Sequence, residues 1–301
     1  MATLIAKRVL DIHSAQEPKW VGDGFPVRNV VSYNRIAHEI SPFLQVDLIG
    51  PHDFERTGER LGSEEMPYKG MELVTLMYDG EIEHIDSRGN FGTVGAGDVQ
   101  WATAGSGIVY EEKHSEGFCD SAGRLSMVRI WVNLPKVHKL FPPRYQLFKF
   151  GGLPRVDLPA DAGYMFVVAG EVAGEQAPVE TRSPIVILDM RLKEGGEIEL
   201  PFPPEWSVMV LVTDGKLGVE NGQSIDTGQL ARFDQLGAAV EIQAFQNTSA
   251  VLMAGLPIIE PVTAEGGIVM NTPDEVLSAV QDYQSGRMGK VSQEDQTGLE
   301  D

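Results

Sequence analysis

Two Asp-Gly pairs constrain this 301-residue chain more than any other feature. Asp79-Gly80 lies between the runs Glu72-Leu-Val-Thr-Leu-Met-Tyr78 and Glu81-Ile-Glu-His-Ile85. Asp-Gly between β-favouring runs marks a tight hairpin, because glycine accepts the positive φ that such a turn needs. Ile82 alternates with Glu81 and Glu83, the period of a strand with one buried face. The same order returns at Trp206-Ser-Val-Met-Val-Leu-Val-Thr213, Asp214-Gly215 and Lys216-Leu-Gly-Val219. A glycine-led strand follows each hairpin, at Gly97-Asp-Val-Gln-Trp101 and at Gly228-Gln-Leu-Ala-Arg-Phe233. The hairpins lie 135 residues apart and the later glycines 131 apart. Two anchors in one order at nearly one offset imply an internal duplication. With 33 glycines and 18 prolines punctuating short apolar runs, each copy is expected to be an antiparallel barrel or jelly roll.

Gly151-Gly-Leu-Pro154 and Leu158-Pro159 break the pattern, so the boundary is placed within 147–160. The expected division is an N-terminal barrel over 1–150, a C-terminal barrel with a helix over 151–286 and a flexible tail over 287–301. Thr272-Pro-Asp-Glu275 supplies the helix start: a threonine cap, proline in the first helical position and glutamate at the reciprocal capping position. Val276, Leu277, Val280 and Tyr283 follow at helical spacing, and Ser285-Gly286 stops it.

A formal net charge of −20 argues against binding to a phosphate backbone or to anionic lipid. One cysteine, Cys119, excludes an internal disulfide and a thiolate cluster. It has no basic neighbour to activate it. No apolar run approaches the roughly 18 residues of a membrane span. The basic residues near the N-terminus follow the apolar ones, unlike a secretory leader. A cytoplasmic protein is expected.

Several segments resemble the pirin family. They are Gly80-Glu-Ile-Glu-His-Ile-Asp-Ser-Arg-Gly-Asn90, Gly97-Asp-Val-Gln-Trp-Ala-Thr-Ala-Gly105, Gly107-Ile-Val109 and Trp131-Val-Asn-Leu-Pro135. Pro142-Pro-Arg-Tyr-Gln146, Gly255-Leu-Pro-Ile-Ile-Glu-Pro261, Val269-Met-Asn-Thr272 and Pro42-Phe-Leu-Gln-Val-Asp47 extend the likeness over nearly the whole chain. The resemblance implies an all-β chain of two tandem cupin barrels with a C-terminal helix. It also implies one iron or similar metal in the N-terminal barrel, held by a His-x-His pair and a later His-x-Glu pair. Alternate residues on a strand share a face, so each pair aims inward. Some members have quercetin 2,3-dioxygenase activity, and some eukaryotic ones are nuclear coregulators.

This chain departs from that pattern at the metal. Pro67, Gly70 and Glu72 fix the register, so Met66 and Tyr68 stand where the first two histidines are expected. In Gly107-Ile-Val-Tyr-Glu-Glu112, Tyr110 stands for the third, and Glu112 alone is retained. His114-Ser-Glu116 spells the missing motif, but four residues downstream; a solvated loop is the expectation there.

Three readings follow. In the first the barrel is metal-free. Glu112 then needs a partner, for which Lys69, Tyr68 and Tyr110 are the candidates, and the chain binds a small molecule or a protein, with a regulatory role in view. In the second, Tyr68, Tyr110 and Glu112 hold iron or another divalent metal, with Glu72 or His84 as a further ligand, and support a quercetinase-type oxygenase. In the third, Glu72, Glu112 and His84 do acid–base work without metal. His13, His38, His52 and His138 form no ligand pairs with one another and are expected to be structural or exposed. The second copy, by the offsets above, places Pro201, Pro203, Ser207, Glu241 and Gln243 at the corresponding positions, so it is expected to be structural. No dinucleotide, phosphate-loop or nucleophile-elbow motif is present.

Overall fold

A computed structural model describes residues 5–219 and 222–291. Among the described residues the regular structure is mostly antiparallel β strand, arranged in two compact units. Neither Asp-Gly pair closes the expected hairpin: Met71–Asp79 and Glu81–Asp86 belong to different sheets, as do Ser207–Asp214 and Lys216–Gly218, so at Gly80 (φ +87) and Gly215 (φ +94) the chain turns from one sheet into the other.

The first unit gathers residues 5–16, 29–45 and 151–258. Its seven-stranded sheet runs Val9–Ser14, Gln229–Phe233, Ser207–Asp214, Thr248–Gly255, Ile185–Leu192, Gly163–Ala169, Arg155–Asp157. A four-stranded sheet runs Glu197–Pro201, Ala239–Ala244, Lys216–Gly218, Ser224–Asp226. Between them lies an apolar core that includes Leu188, Val210, Leu217, Ala231, Ile242 and Leu252. The second unit gathers residues 17–28, 46–150 and 259–291. Its seven-stranded sheet runs Arg144–Phe148, Val99–Thr103, Met71–Asp79, Gly123–Asn133, Phe43–Phe54, Phe25–Ser32, Lys19–Val21. A six-stranded sheet runs Thr263–Glu265, Gly267–Met270, Met66–Lys69, Ile108–His114, Glu81–Asp86, Phe91–Gly95. The strand before Asp-Gly, the later glycine-led strand and their neighbours follow one order in both seven-stranded sheets, as a duplication requires.

The units exchange segments relative to a sequential division near residue 150. The N-terminal strand Val9–Ser14 pairs with Gln229–Phe233, where Arg232, 5% exposed, bonds Asp11 and Glu39. The segment Gly267–Met270 runs parallel to Met66–Lys69. It brings the helix Pro273–Gln284 onto the second unit, against Val109, Ile268 and Met270. The capping box on Thr272 and Glu275 is complete. Leu277 faces solvent; Val276 and Ala279 are the helix's buried side chains, with Val280 and Tyr283 packed alongside. Within the tail expected to be flexible, Met288 is buried in this same cluster and Ser87 Oγ donates to its carbonyl. Residues 292–301 lie outside the described residues. No helix among the described residues is long and apolar enough to cross a membrane.

Carrying the offset of 131 to Glu241 and Gln243 misses the facing by one residue. Val240, Ile242 and Ala244 fill the first unit's core, whereas Glu241 and Gln243 look outward onto a cleft of about 620 Å³.

Candidate functional site

The site lies between the two sheets of the second unit, and strand alternation decides which side chains reach it. On the six-stranded sheet, Met66 is register partner to Tyr110, and Glu112 is partner to His84. Tyr68, Tyr110, Glu112 and His84 are all buried, Glu112 to 1% exposure. The Tyr68 and Tyr110 rings meet edge to face at 5.4 Å, and His84 lies 4.4 Å from the Tyr110 ring. On the facing sheet, Thr75, Gln100 and Arg129 are cross-strand neighbours.

Contacts across the gap tie these groups together. Arg129 Nη2 donates to Glu112 Oε2 at 2.5 Å. Tyr110 donates its hydroxyl hydrogen to Glu112 Oε1. Gln100 Nε2 donates to Glu112 Oε1 at 3.1 Å and to the Tyr110 hydroxyl at 2.7 Å, and Tyr145 donates to Gln100 Oε1 at 3.0 Å. Tyr145 also stacks on His84, with ring centroids 4.5 Å apart and planes within 7°. His84 Nε2 stands 3.4 Å from Asp86 Oδ2, without hydrogen-bond alignment.

The electrostatics follow from that geometry. Burial works against the Glu112 carboxylate, but the Arg129 charge and the Tyr110 hydroxyl outweigh it and hold its pKa below the usual 4.5. Burial pushes the Tyr68 phenol up to about 12. Burial, and then the Glu112 charge, push the Tyr110 phenol well above 10. Both phenols are therefore neutral hydrogen-bond donors at neutral pH.

Two of the expected neighbours point elsewhere. Lys69 follows Tyr68 on the strand, so it faces the opposite side and pairs with Asp282 of the helix at 2.9 Å. Glu72 accepts from Thr103 Oγ1 at 2.6 Å, on the face of its strand opposite Thr75. The partner of Glu112 is thus Arg129 in place of Lys69, and Glu72 does not join His84 and Glu112. The chain crosses from one sheet to the other at Gly70 (φ +75), which resets the alternation: Tyr68 and Leu73 face in, Lys69 and Glu72 out. His114 is no solvated loop residue. It is 1% exposed, bonds the Gly24 carbonyl at 3.0 Å and packs among Phe25, Phe54 and Phe118.

Sequence reasoning missed Arg129, Gln100 and Tyr145. A signal existed for the first: Arg129 is the one charge in Leu125-Ser-Met-Val-Arg-Ile-Trp-Val132, an otherwise strand-like run, and a charge in a buried strand demands a counter-charge. Among the described residues, no three or more His, Cys, Asp or Glu side chains are gathered to hold a metal ion.

Two antiparallel jelly-roll units, one with a polar cluster between its sheets, define a two-domain cupin. The chain belongs to the pirin family: its sequence matches the family description "Pirin" over residues 24–132 and "Pirin C-terminal cupin domain" over residues 187–289. It is 42% identical over 281 residues to a Pseudomonas aeruginosa protein named "Putative quercetin 2,3-dioxygenase", covering 93% of this chain and 98% of that one. A pirin-like protein of Solanum lycopersicum is 33% identical, over 89% of this chain and 88% of its own. Among solved structures, a quercetin 2,3-dioxygenase from Acinetobacter baumannii superposes with a TM-score of 0.92 at 35% identity, covering 95% of this chain and all of that one.

Proposed function

We propose that this chain is a metal-independent pirin that works by binding a small molecule or a protein partner through its cupin scaffold. The observation that carries the reading is the state of Glu112. Its carboxylate is already matched by the Arg129 guanidinium, the Tyr110 hydroxyl and the Gln100 amide. The donor set does not fit a divalent ion. Tyr68 and Tyr110 must each lose a proton to ligate, against pKa values raised by burial, and the Met66 thioether is a poor ligand for a hard ion. A regulatory role follows the family by analogy. A cytoplasmic setting, without membrane or nucleic-acid contact, is part of the same reading, supported by the charge of −20 and the single cysteine.

The test is metal content by inductively coupled plasma mass spectrometry, after expression in iron-, nickel- and manganese-supplemented media, with Glu112→Ala as control. Metal far below one per chain in every medium is expected. Near-stoichiometric metal that disappears in the control would overturn the reading. The names of the relatives favour a second reading, a quercetin dioxygenase with Tyr68, Tyr110 and Glu112 as substitute ligands. It requires flavonol-dependent oxygen uptake by the iron-reconstituted protein, and none is expected.

A further inference from the structure

We infer that the Arg129 guanidinium is a built-in cation, standing where a divalent ion would sit, and that this residue closes the site to metals. The inference rests on the metal-independent reading and deepens it by assigning the exclusion to one side chain.

Met66, Tyr68, Tyr110 and Glu112 come together by strand pairing alone. Met66 and Tyr110 are opposed in register, Tyr68 lies two residues from Met66, and Glu112 two from Tyr110, all on one sheet. What lies opposite them on the facing sheet decides what the space between can hold. Arg129 lies opposite Thr75 in that sheet and extends across the gap, which is roughly 10 Å in stacked sheets, to place Nη2 on Glu112. Its side chain is 12% exposed and that of Glu112 is 1% exposed, so both charges are withdrawn from water. The same guanidinium acts electrostatically on Tyr68, Tyr110 and Glu112, three of the four converging positions. Arg129 Nε is buried without a hydrogen-bond partner. This guanidinium is therefore set by its charge partner, with one of its donors left unmatched.

A fixed positive charge at this place has two consequences. It supplies the compensation that an isolated buried carboxylate lacks, so Glu112 stays ionised without metal. It also repels a divalent ion at a few ångströms' separation, where the protein interior screens like charges far less than water does. Loss of histidines alone would leave a weak metal site; Arg129 makes it a refused one. Restoring the imidazoles is then insufficient while Arg129 remains.

The experiment compares three full-length proteins: the native chain, the triple variant Met66→His/Tyr68→His/Tyr110→His, and that triple variant with Arg129→Gln added. Each is titrated with nickel(II) by isothermal calorimetry, with metal content and thermal unfolding measured alongside. The triple variant is expected to bind nickel at least about 100-fold more weakly than the quadruple variant, which takes up one ion per chain. A quadruple variant that folds only with nickel present gives the same support, since the ion then replaces the lost charge. Equal nickel affinity in the triple and quadruple variants overturns the inference. So does a quadruple variant that binds none, or that stays unfolded with nickel while the triple variant folds. Stoichiometric nickel in the native chain instead overturns the metal-independent reading itself, which keeps the two failures distinct.

Discussion

Arg129→Gln is the most informative single substitution. It removes the guanidinium and leaves Glu112 ionised at 1% exposure, with only the neutral donors of Tyr110 and Gln100. Removing one partner of a buried ion pair costs about 3–5 kcal/mol, because the remaining charge is uncompensated. For a unit of this size that corresponds to a fall of roughly 6–20 °C in its thermal transition. The loss depends on pH with a defined sign. In the native protein the Glu112 pKa lies below 4.5, so its contribution is complete above that value and is lost as pH falls through the folded pKa. In the variant, burial prevails and carries the pKa above 4.5, so protonation on folding relieves the penalty. Stability then rises as pH falls through the raised value. Thermal unfolding of both proteins at pH 8 and pH 5 measures this: the difference between them must be larger at pH 8. Adding Glu112→Gln to Arg129→Gln is expected to recover more than half of the loss. A loss below about 1 kcal/mol, or one equal at both pH values, would refute the assignment of Arg129 as the compensating charge.

Tyr68→Phe is expected to reduce alkaline unfolding. The folded Tyr68 phenol, raised to about 12, keeps its proton where the unfolded chain loses it near 10, so native stability declines between those values, and the decline must be smaller in the variant when followed by circular dichroism. Thr272→Ala removes the hydroxyl that accepts from the Glu275 amide and is expected to cost about 1 kcal/mol, measured by denaturant unfolding with the slope unchanged.

Features set by neighbours in the chain were legible in the sequence. Asp79-Gly80 and Asp214-Gly215 make tight turns, because the positive φ is a requirement of the turn itself, but those turns carry the chain between two sheets and close no hairpin, since strand partners are chosen by tertiary pairing. Thr272 and Glu275 start the final helix for a local reason, since capping is satisfied within four residues. The reading that Met66, Tyr68 and Tyr110 stand where the family resemblance leads one to expect histidines, with Glu112 kept, also came from the sequence. Lys69 was misassigned although alternation already turned it away from Tyr68, whereas the facing of Glu72 depended on the sheet change at Gly70.

Only tertiary structure decided what faces Glu112. Arg129 lies 17 residues away on the opposite sheet, and no periodicity in either strand records which residues meet across a sandwich. The exchange of terminal segments is of the same kind. Val9–Ser14 and Gly267–Met270 each pair with a strand remote in sequence, and a strand's own residues specify that it pairs, not with which partner. The sequence alone therefore determined two β units and placed Met66, Tyr68, Tyr110 and Glu112 at the positions where the resemblance expects ligands. The packing of two sheets determined that a guanidinium meets the one remaining carboxylate, because burial leaves an ion no option but to find its counter-charge in space.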